Sequence, residues 1–172
     1  MEQFPRAQSE RASAGTTPPP SHEANADQPC ATLNKLARYI RLRGMDWNAR
    51  RVAQALCEYF DAECRRHRQE QECGLFTALQ QQAREHSAPH VERLLSQLRE
   101  QHQAIASLWE HLRGTLSDIA FCKPASLSQD DAARFTALYR AHVEFEERQL
   151  HPLTAQILGA GAVYRSSPHM TQ

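Results

Sequence analysis

Three histidines of this chain, His67, His102 and His142, lie among apolar residues that recur at helical spacing. His102 stands between Leu98 and Ile105, and the other two occupy equivalent positions in the segments before and after it. Apolar residues three to four positions apart mark the buried stripe of a helix, so each imidazole is expected to face a core. One such histidine is usually a core residue that bonds a carbonyl, whereas three at one level favour a metal site.

The level of each histidine along its helix follows from counting residues from the turns. His67 lies 19 residues before the turn at His86, and His102 lies 16 residues after it. His102 also lies 20 residues before Cys122, and His142 follows the end of that second turn by 15 residues. At a rise of about 1.5 Å per residue, the three levels are similar. The three imidazoles are therefore expected to converge.

A carboxylate joins this layer from the last of the three segments. Glu146 follows His142 by four residues, which places both side chains on one helix face beside apolar residues. A buried carboxylate is costly without a partner. Imidazoles with a carboxylate and no thiolate suit iron, manganese or zinc, and raw affinity does not choose among them. The sequence thus predicts a transition-metal site without naming its ion.

Capping residues divide the apolar pattern into the helices that must position this layer. Gly44 ends a first helix of about four turns, Asp46 begins a long second one, Ser87 opens a third, and Ser128 opens a fourth that Pro152 should kink. No segment alternates like a strand, and the connections are short. The prediction is an all-α, up-down-up-down four-helix bundle with a shortened first helix.

The expected organisation is a disordered tail over residues 1–28, a bundle over 29–160 and a C-terminal tail over 161–172. The first segment is rich in Ser, Thr, Pro and Ala and carries too little apolar surface to offset the entropy of ordering. Pro29 is expected to interrupt any helix that runs on from Ser21.

Composition narrows the function classes. Twenty Lys plus Arg balance 20 Asp plus Glu, so we expect neither nucleic acid nor a membrane surface as partner. No apolar run is long enough to span a bilayer and the start has no signal-peptide core, which favours a cytoplasmic protein. Five cysteines without a CxxC pair favour buried thiols over disulfides or a zinc knuckle.

Two segments resemble the hemerythrin-like family, also called the HHE cation-binding domain: HVEFEERQLHPL from His142 and YFDAECRRHRQEQECGLFTAL from Tyr59. The resemblance covers about residues 30–160. It implies a four-helix bundle around a non-haem, typically di-iron, centre bridged by two glutamates, with dioxygen or nitric oxide as ligands. Oxygen binding, iron or oxygen sensing and nitric-oxide chemistry are the functions it implies.

The family pattern transfers to this chain residue by residue. Its ligands on the third and fourth helices fall on His102, His142 and Glu146, and its second-helix histidine falls on His67. The second bridging glutamate, however, is replaced by Gln71, whose neutral amide cannot neutralise two cations.

Two substitutes for missing family ligands stay open at this stage. Glu70 or Glu72 replaces the bridging carboxylate if either turns inward, although each is rotated by about 100° from that position. On the first helix no histidine lies between Cys30 and Gly44, and His22 is the candidate at the required depth.

Two functional hypotheses from different classes follow. The first is an iron-binding protein for oxygen, iron or redox sensing or storage, with an altered di-iron site. The alternative is a hemerythrin-fold bundle without a functional metal site, which acts as a structural or interaction module. Enzyme activity ranks below both, since neither a hydrolase triad nor a phosphate-binding glycine loop is present. The other histidines are expected to be solvated: His86, His90, His111, His151 and His169.

Overall fold

The computed structural model describes residues 22–85 and 87–159, with side chains from Asp27 onward. These ranges contain helices and no strand, and the helices pack as an antiparallel four-helix bundle. The first bundle helix is α1; the second is α2, a π-helical segment and α3; the third is α4; the fourth is α5, a second π-helical segment and α6. Their bounds in chain order are α1 His22–Arg43, α2 Trp47–Gln69, π Glu70–Leu75, α3 Phe76–Gln82, α4 Ala88–Ala120, α5 Gln129–Phe145, π Glu146–Leu150 and α6 His151–Leu158.

The first helix begins seven residues earlier than predicted and contains Pro29 in its interior. The expectation that Pro29 interrupts a helix from residue 21 is therefore wrong. Proline removes one backbone hydrogen bond at a cost of about 3 kcal/mol, but packing behind it holds the chain helical, since Cys30 and Leu33 are fully buried. Ahead of it, Asp27 pairs with Arg140 of α5 at 2.9 Å. With 22 residues, α1 is still the shortest of the four bundle helices.

The predicted helix boundaries follow from local chemistry. Gly44 adopts a φ of 80°, which a left-handed C-terminal cap requires. The Asp46 carboxylate accepts the Ala49 N–H at 2.9 Å and so caps α2, and the Ser128 hydroxyl accepts the Asp131 N–H at 3.1 Å. These side chains satisfy amide groups that have no partner within the helix.

Both π-helical segments lie at predicted metal ligands. The first begins at Glu70, three residues after His67, and the second begins at Glu146 itself. The Phe76 N–H bonds the Gln71 carbonyl five residues back, and the His151 N–H bonds the Glu146 carbonyl in the same way. The second segment ends two residues before Pro152, whose missing N–H already breaks the regular hydrogen-bond ladder. Short π segments are frequent at functional sites, because they redirect side chains within a helix.

A layer of buried polar side chains divides the core into two apolar clusters. The first cluster includes Leu33, Phe60 and Phe135, and the second includes Phe76 and Leu98 without any residue of α1. On each of the last three bundle helices the chain passes from one cluster to the other through this layer, whose members are His67, Gln71, His102, His142 and Glu146. Three of the four bundle helices therefore build it.

The remaining expectations concern cysteines and membrane spans. All five cysteines are free; Cys30 is buried and Cys57 and Cys64 are half-buried, but Cys73 and Cys122 are exposed, contrary to the expectation of buried thiols. Their exposure reflects positions on the outer helix face and in a loop. Within the described ranges, no helix has the length and apolar character that crossing a membrane demands.

Candidate metal centre

Four buried side chains bring their donor atoms together in the polar layer. His67, His102, His142 and Glu146 each offer one atom, and these atoms all lie within 4.8 Å of one another. His67 is 8% exposed and the others no more than 5%. The convergence expected from residue counting is thus present, with one donor from each of the second and third bundle helices and two from the fourth.

One carboxylate oxygen, Oε1 of Glu146, is the centre of the cluster. It lies 3.0 Å from Nε2 of His67 and 3.1 Å from Nε2 of His142. The two Nε2 atoms are 3.4 Å apart. The Gln71 amide nitrogen donates a hydrogen bond to the same oxygen, at 2.6 Å. Every polar group of this layer therefore points at the same small volume.

Hydrogen bonds on the far side of two imidazoles settle which ring nitrogen faces that volume. Nδ1 of His102 lies 2.8 Å from Oε1 of Glu72, and Nδ1 of His142 lies 2.8 Å from Oε1 of Gln101. Carboxylate and amide oxygens only accept, so each Nδ1 carries the proton. In the neutral ring, Nε2 then presents a lone pair.

These lone pairs lack suitable partners within the described part of the chain. Nε2 of His102 is buried without a hydrogen bond, and Nε2 of His142 faces a carboxylate oxygen, which is also an acceptor. Two acceptors in contact need a proton or a cation between them. The Gln71 Oε1 is likewise buried without a partner. Such atoms are costly in a core, and a bound cation would satisfy them.

Burial and the Glu146 charge shift the pKa values of His67 and His102 in opposite directions. Burial opposes the charged form of His67, but the Glu146 carboxylate outweighs it and raises the pKa of His67. Burial would likewise raise the pKa of Glu146, yet the neighbouring His67 holds that pKa well below its usual range. For His102, burial dominates over the Glu72 hydrogen bond and lowers the pKa to about 4. His102 is therefore a neutral imidazole at pH 7, the form that binds metals.

The candidates for the missing bridging carboxylate do not take that place. Glu70 is exposed, and Glu72 reaches outward to Nδ1 of His102 instead of the layer. Each is rotated along the helix away from Gln71, which is 2% exposed and occupies the inward position. The Gln71 amide nitrogen, a donor, stands where a bridging carboxylate would offer an acceptor.

The other sequence-predicted histidines fall into three groups. The α1 backbone starts at His22, but its side chain lies outside the described residues, so its role as a ligand stays a prediction. His86 and His169 are outside them altogether. His90 and His111 are exposed as expected, but His151 is half-buried, and burial lowers its pKa despite the nearby Glu146 charge.

Sequence reasoning missed the two outer oxygens, those of Glu72 and Gln101. Glu72 was weighed only as a bridging ligand, and Gln101 precedes His102 without any motif to mark it. Their roles depend on how closely neighbouring helices approach. The available signal was a polar residue next to an inward-facing position: Gln101 precedes His102, and Glu72 follows Gln71.

The donor set fits a single first-row transition-metal ion: three imidazoles, two of them fixed with Nε2 inward, and one carboxylate. A comparison with protein-family models agrees with this chemistry. The model described as hemerythrin HHE cation binding domain matches residues 30–154. No curated protein and no solved structure matches the chain.

Proposed function

The chain belongs to the hemerythrin HHE cation-binding family, and from that membership and its donor geometry we propose that it is a non-haem iron protein holding one ion. The observation that carries the proposal is the group of four buried donor atoms within 4.8 Å of one another. His67, His102, His142 and Glu146 would hold the ion. Bound iron would supply a centre that changes oxidation state and has affinity for dioxygen or nitric oxide.

The charge of the layer favours one ion over two. Glu146 is the one carboxylate among the four donors, and a second divalent cation would add two positive charges in a buried volume without a second anion. Such a charge is very costly unless it is paired. Gln71, at the position of the second family glutamate, supplies an amide instead. We therefore interpret the site as a one-ion variant of the family centre.

Sensing of oxygen, iron or redox state suits this site better than storage. One ion for a chain of 19.6 kDa is a small capacity. A single buried ion whose ligands come from three bundle helices, in contrast, couples its occupancy to the packing of all three. Binding to the folded state alone stabilises that state by about 2.7 kcal/mol when the ion is at 100 times its Kd.

An iron titration of the metal-free full chain tests the proposal. Ferrous iron added under anaerobic conditions should bind at about one ion per chain and raise the melting temperature. His142→Ala should lose most of both effects, because it removes a buried donor. His111→Ala is the matched control, since His111 is exposed and should leave both unchanged. If the melting temperature of the wild-type protein is the same with and without iron, the proposal is overturned.

One observation favours the second candidate, a bundle that has lost its metal and serves as a structural or interaction module. Oε1 of Glu146 already receives contacts from Gln71, His67 and His142, so a network of protein groups can hold the carboxylate alone. Gln71→Glu discriminates the two. A metal site that lost one ligand should gain a second iron and the absorption of a bridged pair, whereas a metal-free module should only lose stability.

A further inference from the structure

Two side chains outside the donor group contact the metal-site histidines on their far edges. Glu72 Oε1 is 2.8 Å from Nδ1 of His102, and Gln101 Oε1 is 2.8 Å from Nδ1 of His142. Each contact crosses between two bundle helices: Glu72 reaches from the second to the third, and Gln101 from the third to the fourth. These two hydrogen bonds therefore join the three helices that supply the donors, on the side of the histidines that faces away from the metal site.

Two adjacent residues of the second bundle helix, Gln71 and Glu72, bind different side chains of the site. Gln71 donates to Glu146 in the layer, and Glu72 accepts from His102 behind it. Consecutive helical residues point about 100° apart, which lets neighbours reach different bundle helices. The family pattern has a glutamate at the position of Gln71, inside the layer. In this chain a carboxylate stands one residue later, at Glu72, on the outer side of His102.

We propose that Glu72 and Gln101 are positioning residues that fix His102 and His142 with Nε2 toward the metal ion. The inference rests on the proposed function. A second hydrogen bond to a metal-bound imidazole selects its tautomer, fixes its ring and raises its basicity. The Phe76 ring supports the same orientation, because it lies parallel to His102 with centroids 6.0 Å apart.

Glu72 acts more strongly than a neutral oxygen would. A carboxylate raises the basicity of the imidazole that donates to it, and so strengthens the Nε2 lone pair. Arg68 shares the same Oε1 at 3.1 Å and offsets part of that charge. Removing the Arg68 side chain should therefore keep metal affinity or raise it slightly, whereas removing the Glu72 side chain should lower it.

The test measures Co²⁺ affinity of the full chain by competition with a chelator. Glu72→Ala should weaken binding by about 10- to 100-fold, and Gln101→Leu by about 10-fold, the range typical of lost outer hydrogen bonds. Gln101→Glu keeps an acceptor oxygen and should recover most of the affinity, whereas Glu72→Gln keeps the acceptor but loses the charge and should recover only part of it. The controls are Glu70→Ala, an exposed neighbour of the same type, and Arg68→Ala.

A double substitution separates positioning from a general structural role. If Glu72 acts through His102, Glu72→Ala should have no further effect on Co²⁺ affinity in a His102→Ala background. An undiminished effect there, or wild-type affinity in Glu72→Ala, would overturn the positioning role alone. No Co²⁺ uptake by the wild-type chain would overturn the proposed function itself, so the two failures are distinguishable.

Discussion

Gln71→Glu in the metal-free protein is the substitution whose energetic effect is most directly calculated from the structure. The Gln71 amide nitrogen lies 2.6 Å from Oε1 of Glu146, so the introduced carboxyl faces an existing carboxylate. Two full charges at that distance repel by about 6 kcal/mol at an effective dielectric constant of 20. Protonation of the introduced group is cheaper, because a neutral carboxyl can donate its O–H to Glu146 much as the amide does.

Protonation sets the magnitude and gives it a pH dependence. Keeping a carboxyl of ordinary pKa, about 4.3, neutral at pH 7 costs about 4 kcal/mol, and at pH 5 about 1 kcal/mol. Metal-free Gln71→Glu should therefore be less stable than wild type by about 3–4 kcal/mol at pH 7 and by about 1 kcal/mol at pH 5. In a chain of this size, the former lowers the melting temperature by roughly 6–16 °C.

Urea unfolding in the presence of chelator at both pH values measures this difference. Gln69→Glu is the matched control, because Gln69 is exposed two residues away and the same change there should cost no more than about 0.5 kcal/mol. Added iron should restore more stability to Gln71→Glu than to wild type. A Gln71→Glu protein that is as stable as wild type at pH 7 without metal would refute the contact between Gln71 and Glu146.

Three further predictions concern titration and local structure. In metal-free protein, NMR should find the pKa of His67 above its ordinary value and that of His102 at about 4; a normal pKa for both would contradict the described layer. Because the pKa of His67 is raised on folding, its contribution to the free energy of unfolding is full below its unfolded pKa of about 6.5 and is lost as pH rises through its folded pKa. The pKa of His102 is lowered on folding, so keeping it neutral reduces the free energy of unfolding as pH falls from about 6.5 toward about 4. Pro29→Ala should raise the free energy of unfolding by about 1–2 kcal/mol, because alanine restores a helical hydrogen bond at a site inside α1; no gain in urea unfolding would mean that the helix stops there. Ser128→Ala should cost about 1 kcal/mol by the same measurement, because it removes the hydroxyl that accepts the Asp131 N–H, and an unchanged stability would show that this cap does not hold the helix start.

The sequence predicted the polar layer because its level depends on quantities that one chain carries: rise per residue, turn positions and the apolar stripe. His67, His102 and His142 could be placed on inward faces of three helices by period alone, and Glu146 by its spacing from His142. The bundle followed from the same periodicity together with the caps at Gly44 and Asp46.

What the sequence did not predict depends on contacts between helices or on competition between local and tertiary terms. The direction of Glu72 is set by His102 on another helix, and no local rule distinguishes it from the exposed Glu70. At Pro29 the local cost was treated as decisive, but burial of the residues behind it outweighs that cost. The two π-helical segments have no period that sequence inspection detects.

Elemental analysis of the full chain, expressed with added iron and purified without chelator or metal-affinity resin, tests the central claim most directly. The proposed site predicts about one iron per chain in the wild-type protein. A content well below one metal per chain would contradict metal binding, and a content near two would contradict the one-ion role assigned to Gln71.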